Sequence, residues 1–130
     1  MQDIRIIVAG GRNFNNYKLL CEECISFINS HNYNSEQITI ITGGAKGADY
    51  LGKLFADEFG YKPEVIEAPW EEYGLKAGRL RNAEMAQFAL QGDIAHLIAF
   101  WDGKSKGTGN MISIAKAKKI SGKVIQYEYE

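Results

Sequence analysis

With 130 residues, 45% of them hydrophobic, and 15 Lys and Arg set against 16 Asp and Glu for a net charge of −1, the chain reads as one domain spanning residues 1–130 around one core, without room for a separate catalytic or regulatory domain. So balanced a charge argues against a non-specific polyanion binder, whose counterion-release affinity needs a clustered excess of Lys and Arg; local basic patches stay open. Met1 leads directly into a strand without a signal-peptide pattern, and no apolar run approaches the ~20 residues of a membrane span, so a cytoplasmic protein without membrane contact is expected.

Ile4 to Ala9 is rich in β-branched residues and predicts a strand that stops at Gly10-Gly11. Asn15 or Asn16 then caps a helix on which Tyr17, Leu20, Cys21, Cys24, Ile25 and Ile28 recur at helical spacing as one buried stripe. Both cysteines lie on that stripe. There is no second Cys pair, and His31 and His96 are far away in sequence, so a zinc site lacks ligands; a thioredoxin-like CxxC would open its helix rather than sit within it. The cysteines therefore read as buried reduced thiols, and no metal is expected. Leu19 and Phe27 fall off the stripe and, with the apolar last helix, point to a homo-oligomer interface.

After a polar connection from Asn29 to Glu36, Gln37 to Thr42 reads as a second strand carrying Ile38, Ile40 and Ile41. A glycine loop leads to a helix with Leu51, Leu54, Phe55 and Phe59 on one face, closed by Gly60. A short third strand covers Glu64 to Glu67 and ends at Ala68-Pro69-Trp70. An irregular segment precedes a helix from Gly78 to Leu90, stopped by Gly92. Ile94 to Trp101 is nearly all apolar and suits a central strand covered on both faces. The last helix runs from Gly107 to Lys119, Gly122 turns the chain, and Lys123 to Tyr129 forms a fifth strand.

Five strands alternating with four helices predict an α/β fold: a Rossmann-like, doubly wound, mostly parallel sheet with helices on both faces. Strand order 3-2-1-4-5 is expected, which puts the switch point between strands one and four; a flavodoxin-like order is the alternative. Glycine-bearing loops at Gly10–Asn13, Gly43–Asp49, Ala77–Asn82 and Asp102–Gly109 fall where a strand hands over to a helix. Backbone N–H groups in such loops hold anions. Tight turning alone accounts for one such loop better than for four in the same topological position, so the pattern points to a phosphate or nucleotide site. Lys104, Ser105 and Lys106 offer charge and hydrogen bonds beside Gly107 and Thr108. Neither GxxxxGK[ST] nor GxGxxG with an acid at the end of strand two is present, which disfavours ATP hydrolysis and NAD chemistry. Arg12, Arg79 and Arg81 are candidate anion contacts, and Trp70 and Trp101 suit either base stacking or packing.

Val8 to Arg12, Thr42 to Asp49, Ala77-Gly78-x-x-Arg81-Asn82-x-x-Met85 and Phe100 to Thr108 resemble the SLOG superfamily (SMF/DprA and LOG proteins), and within it the small bacterial and phage branch called YspA-like or YAcAr. The resemblance spans nearly the whole chain. It implies a Rossmann-like domain that binds nucleotides or nucleotide-derived ligands, commonly as a homo-oligomer. Some relatives hydrolyse the N-glycosidic bond of nucleoside monophosphates, and DprA relatives bind single-stranded DNA. The catalytic relatives use an Arg in an R-K-x-x-M segment and a Glu in a P-G-G-x-G-T-x-x-E segment. Here Arg81-Asn82-Ala83-Glu84-Met85 keeps the Arg and the Met, whereas the residue three after Thr108 is Met111 and the carboxylate is missing.

Asp102, just past the fourth strand, is the first substitute, as general base or acceptor for a ribose hydroxyl. Asp49 lies in the first turn of the second helix, where the dipole alone stabilises a carboxylate by ~0.3–1 kcal/mol. Glu84 is placed to pair with Arg81 at i+3, and Glu71 and Glu72 are expected in solvent. The first reading is a sensor or sequestering protein for a phosphorylated nucleotide ligand, with no further cofactor. Its expected contacts are Gly10, Gly11, Arg12, Gly43, Gly44, Lys46, Gly47 and Asp49 from the first half of the chain. Arg81, Asn82, Asp102, Gly103, Ser105, Gly107 and Thr108 complete them. An N-glycosidase in which Arg81 positions the ligand and Asp102 or Asp49 is the base is the second reading. A DprA-like single-strand binder is the third, and the charge weighs against it.

Overall fold

A computed structural model describes residues 1–128. In chain order it contains β1 (Ile4–Gly10), α1 (Tyr17–Ser30), β2 (Ile38–Thr42), α2 (Ala48–Phe59), β3 (Lys62–Val65), α3 (Trp70–Tyr73), α4 (Ala77–Leu90), β4 (Ile94–Trp101), α5 (Lys106–Ala117) and β5 (Ser121–Gln126), with 3-10 turns at Ser35–Gln37 and Gly74–Lys76. The sheet order is β3-β2-β1-β4-β5 and every pairing is parallel. The 3-2-1-4-5 order is thus the observed one, and the flavodoxin-like alternative falls.

Alternation along the strands builds two apolar layers. Ile4, Ile6, Val8, Ile38, Ile40, Ile98 and Phe100 share a cluster with Leu20, Cys24 and Ile28 of α1 and Phe55 and Ala56 of α2. Ile7, Ala9, Ile41, Leu97 and Ala99 share the other with Met85, Ala86 and Ala89 of α4 and Met111, Ile112 and Ala115 of α5. Strands covered on both faces have no polar side to alternate with, which is why β1 and β4 read as apolar runs. Asn16 caps α1, its side chain accepting from the Leu19 N–H at 3.0 Å. Cys24 is buried and Cys21 half-buried, both with free thiols.

Several expectations need correcting. The inward face of α2 is Ala48, Asp49, Gly52, Phe55 and Ala56, while Leu51 and Leu54 are half-buried and Phe59 is 41% exposed. Gly52 is the reason: a Cβ there would lie 3.0 Å from both Thr42 Cγ2 and Val8 Cγ1, so the helix rests on the sheet through its smallest residue. β3 begins two residues early, at Lys62, and Pro63 is tolerated because β3 is an edge strand. The irregular segment contains α3 and a 3-10 turn, and Ala77–Asn82 is the start of α4 rather than a loop.

Gly122 lies within β5 rather than at a turn, paired with Leu97, and a Cβ there would overlap the Leu97 backbone, which is why the position takes glycine. The chain reverses instead at Lys119, which adopts φ 59°. The predicted last residue of this strand, Tyr129, falls outside the described residues. Leu19 and Phe27 are half-buried and pack on the core of their own chain, with the Phe27 ring edge-on to His96 at 4.8 Å. Among the described residues no helix is long and apolar enough to cross a membrane.

Candidate functional site

The loops after β1, β2 and β4 meet at the C-terminal edge of the sheet. Gly10 makes this convergence possible, since a Cβ there would come within 2.6 Å of Ala48 Cβ and the Phe100 carbonyl oxygen. The Gly11 N–H donates to the Phe100 carbonyl at 3.2 Å, and the Gly11 carbonyl accepts from Ala48 and Phe14 at 3.2 Å each. Gly47, at φ 75°, lies against that same carbonyl and starts α2 there, a close approach that no side chain would allow.

Past β4, Asp102 Oδ1 accepts from the N–H groups of Lys104 at 2.9 Å and Ser105 at 2.8 Å. These bonds hold its carboxyl below the usual carboxylate range. Ser105 sits at the N-cap of α5 without making a side-chain cap bond, and its Oγ lies 3.4 Å from Thr108 Oγ1. The first N–H groups of α5 therefore have no side-chain acceptor from the cap.

Opposite, Arg81 of α4 donates from Nη1 to the Gly43 carbonyl at 2.5 Å and from Nε to Asn82 Oδ1 at 3.1 Å. Its Nη1 is 3.7 Å from Asp49 Oδ2, which also accepts from the Ala45 N–H at 3.2 Å. Asp49 is 4% exposed. Burial pushes its carboxyl up, and Arg81, the Ala45 N–H and Arg12 only partly offset this. Burial likewise pulls Arg81 down, with Asp49 opposing. Asn82 is buried and donates from Nδ2 to the Gly107 carbonyl at 3.2 Å and to Asn110 Oδ1 at 3.0 Å. It fastens α4 to the start of α5.

Between these walls lies a cleft of about 630 Å³. It brings together Gly10, Gly11, Arg12, Asp49, Arg81, Asn82, Asp102, Ser105, Gly107 and Thr108 of the expected set. A second cleft of about 520 Å³ contains Gly43, Gly44 and Lys46 with Glu67, and shares Arg12, Ala45, Trp70 and Arg81 with the first. Gly47 and Gly103 line neither and shape the loops.

Met111 lines the first cleft as a buried side chain, so the place where catalytic relatives would carry a carboxylate is apolar. Arg81 pairs with Asp49 rather than with Glu84, which is exposed, as are Glu71 and Glu72. Arg12 and Arg79 are exposed on the cleft. Sequence reading missed Asn13, Asn110 and Glu67. Asn110 shows its role only through Asn82 on another helix, whereas Glu67, next to the Ala68-Pro69 break, carried a local signal. Among the described residues no group of three or more His, Cys, Asp and Glu is placed to hold a metal ion.

Residues 4–73, from β1 through α3, match the family described as YspA, cpYpsA-related SLOG family. The Gene 61 protein of Mycobacterium phage D29 is 29% identical over 121 residues, covering 89% of this chain and 91% of that protein. The X-ray structure of DNA processing protein A (DprA) from Streptococcus pneumoniae superposes with a TM-score of 0.48 at 13% identity, over 93% of this chain and 58% of that one.

Proposed function

The chain belongs to the YspA, cpYpsA-related SLOG family, and from that premise we propose that its switch-point cleft binds a nucleotide or nucleotide-derived phosphorylated ligand, the protein acting as a sensor or sequestering protein. One observation carries the reading: the uncapped N-terminus of α5 opens on a cleft whose other walls bear Arg12, Arg79 and Arg81. Helix N–H groups and the positive end of the dipole favour a phosphate there, with the Ser105 and Thr108 hydroxyls beside it. Arg81 already serves Gly43, Asn82 and Asp49, so it fixes the floor of the site, while the exposed Arg12 and Arg79 supply mobile charge. Asp102, with Oδ1 engaged by its own loop, keeps one oxygen to accept a sugar hydroxyl.

The test is to incubate the purified chain with nucleoside mono-, di- and triphosphates, ADP-ribose and cyclic nucleotides, then quantify bound ligand and free base by chromatography with mass detection. Stoichiometric retention of an unchanged ligand is expected. Arg79→Ala weakens it about tenfold, the scale of one charged hydrogen bond. No retention of any of these ligands refutes the proposal.

Asp49 favours a second reading, because a buried carboxyl with a raised pKa beside an arginine is the pattern of a general acid or base. In that case water replaces the base at the sugar C1′, and free base appears in the same chromatograms. The apolar Met111 position supports the binding protein over the glycosidase. Free base released by the parent chain and lost in Asp49→Asn would reverse that order.

A further inference from the structure

Two tryptophans flank the cleft region and their surroundings differ. The Trp101 indole N–H donates to the Ser105 carbonyl at 3.0 Å, and its ring lies 3.3 Å from where a Cβ on Gly109 would stand. That ring is committed to holding α5. Trp70 is 47% exposed, and its indole N–H makes no hydrogen bond among the described residues. Tyr73 and Leu80 nearby are equally exposed but line neither cleft, whereas Trp70 lines both. The far edge of its ring rests on α4, where a Cβ at Gly78 would be 3.4 Å from Cη2. The Arg12 guanidinium carbon lies 5.7 Å from its ring centroid, and Arg12 makes no ion pair among the described residues.

Resting on the reading of the cleft as a nucleotide site, we infer that Trp70 is the base-stacking platform, with Arg12 closing over the opposite face of the base. Aromatic rings and guanidinium planes are both stacking partners for bases. A base at van der Waals distance from each plane needs about 7 Å between them, so Arg12, which is exposed, moves outward to admit it. The phosphate then lies toward α5 and the base at the boundary of the two clefts. The ligand class is therefore a nucleotide with its base intact, not a sugar phosphate. Stacking tolerates every base, so Trp70 selects for an aromatic ring rather than for one base.

Calorimetric titrations with AMP, GMP, CMP and UMP, and with base-free ribose 5-phosphate, test this on the full chain. The parent is expected to bind at least one nucleotide about ten- to a hundredfold more tightly than ribose 5-phosphate, with quenching of indole fluorescence. Trp70→Ala removes that preference and leaves ribose 5-phosphate affinity unchanged, which also shows that the variant is folded. Trp70→Phe retains most of the preference and loses the quenching. Equal affinities in the parent, or a Trp70→Ala variant that weakens both ligand types alike, overturns the stacking role while nucleotide binding stands. If neither ligand type binds the parent, the reading of the cleft falls and the stacking role with it.

Discussion

Asp49 and Arg81 are held in a setting that favours neither charge. Asp49 is 4% exposed, and burial outweighs the attraction of Arg81 at 3.7 Å, so its carboxyl is raised from the ordinary range. An acid whose folded pKa lies above its unfolded value contributes stability that is full below the unfolded pKa and is lost as pH rises through the folded one. Arg81→Ala removes the first of the influences that restrain this shift and leaves a buried carboxylate without its cation. The expected cost at pH 7.5 is about 3 kcal/mol. It should shrink on acidification toward pH 4.5 as Asp49 takes up a proton. Urea unfolding of parent and variant at both pH values measures this. Adding Asp49→Asn to Arg81→Ala should recover part of the loss at pH 7.5, and a loss independent of pH would show that Arg81 acts only through its bonds to Gly43 and Asn82.

His96 joins β4, β5, α1 and the connection after α1 at the opposite end of the sheet from the cleft. It lies in β4, its Nε2 is 2.8 Å from Tyr33 Oη and its Nδ1 is 2.9 Å from Ser121 Oγ of β5. Phe27 and His31, at the end of α1, pack on its ring at 4.8 and 5.0 Å. Burial and then the neighbouring His31 pull its imidazole below the ordinary histidine range. The folded state therefore resists a proton that the unfolded chain accepts, and stability present above pH 6.5 is lost as pH falls below it. The urea midpoint of the parent should drop between pH 7.5 and 5.5, and His96→Gln, which keeps hydrogen-bonding groups in place, should flatten that drop.

The same contacts show what sequence can and cannot reveal. β1 and β4 were legible because β-branched and apolar runs end at Gly10 and Asp102-Gly103, α1 and α2 because apolar residues recur at helical spacing, and α4 and α5 because glycines bound them. The inward face of α2 was not legible: helical periodicity selects large residues, and here the sheet is met by Gly52 and Ala48. α3 is four residues long, too short for any period. Gly122 has the local signature of a turn, and only the Leu97 backbone across the ladder explains it. The candidate loops stood out through their glycines. The partners inside the site, Arg81 with Gly43 and Asn82 with Asn110, are tertiary pairings across 38 and 28 residues of chain that leave no local trace.

Across the whole molecule, charge is balanced in sum but not in place. Residues 103–127 contain Lys104, Lys106, Lys116, Lys118, Lys119 and Lys123 and no Asp or Glu, so α5 and its flanks are positive within a chain of net charge −1. Of these, Lys104 and Lys106 stand at the start of α5, where they attract a small anion, whereas Lys116, Lys118 and Lys119 lie at its far end and Lys123 pairs with Glu23, so they form no extended basic track of the kind a polynucleotide requires. The cleft is also built from loops after β1, β2 and β4, with β1 and β4 paired at the centre of the sheet, so its ligand should bind the folded chain and not the unfolded one. A nucleotide at a hundred times its dissociation constant then stabilises the fold by about 2.7 kcal/mol, which raises the melting temperature by about 10 °C for a chain of this length. Thermal melts with increasing ligand at 50 and 200 mM salt separate the two kinds of anion. One or two phosphate groups lose little affinity over that range, so the rise in melting temperature should persist. Loss of affinity by a factor of about 10³ or more would mark several phosphates bound along a polymer. That result would move the proposed function from a nucleotide to a nucleic-acid strand.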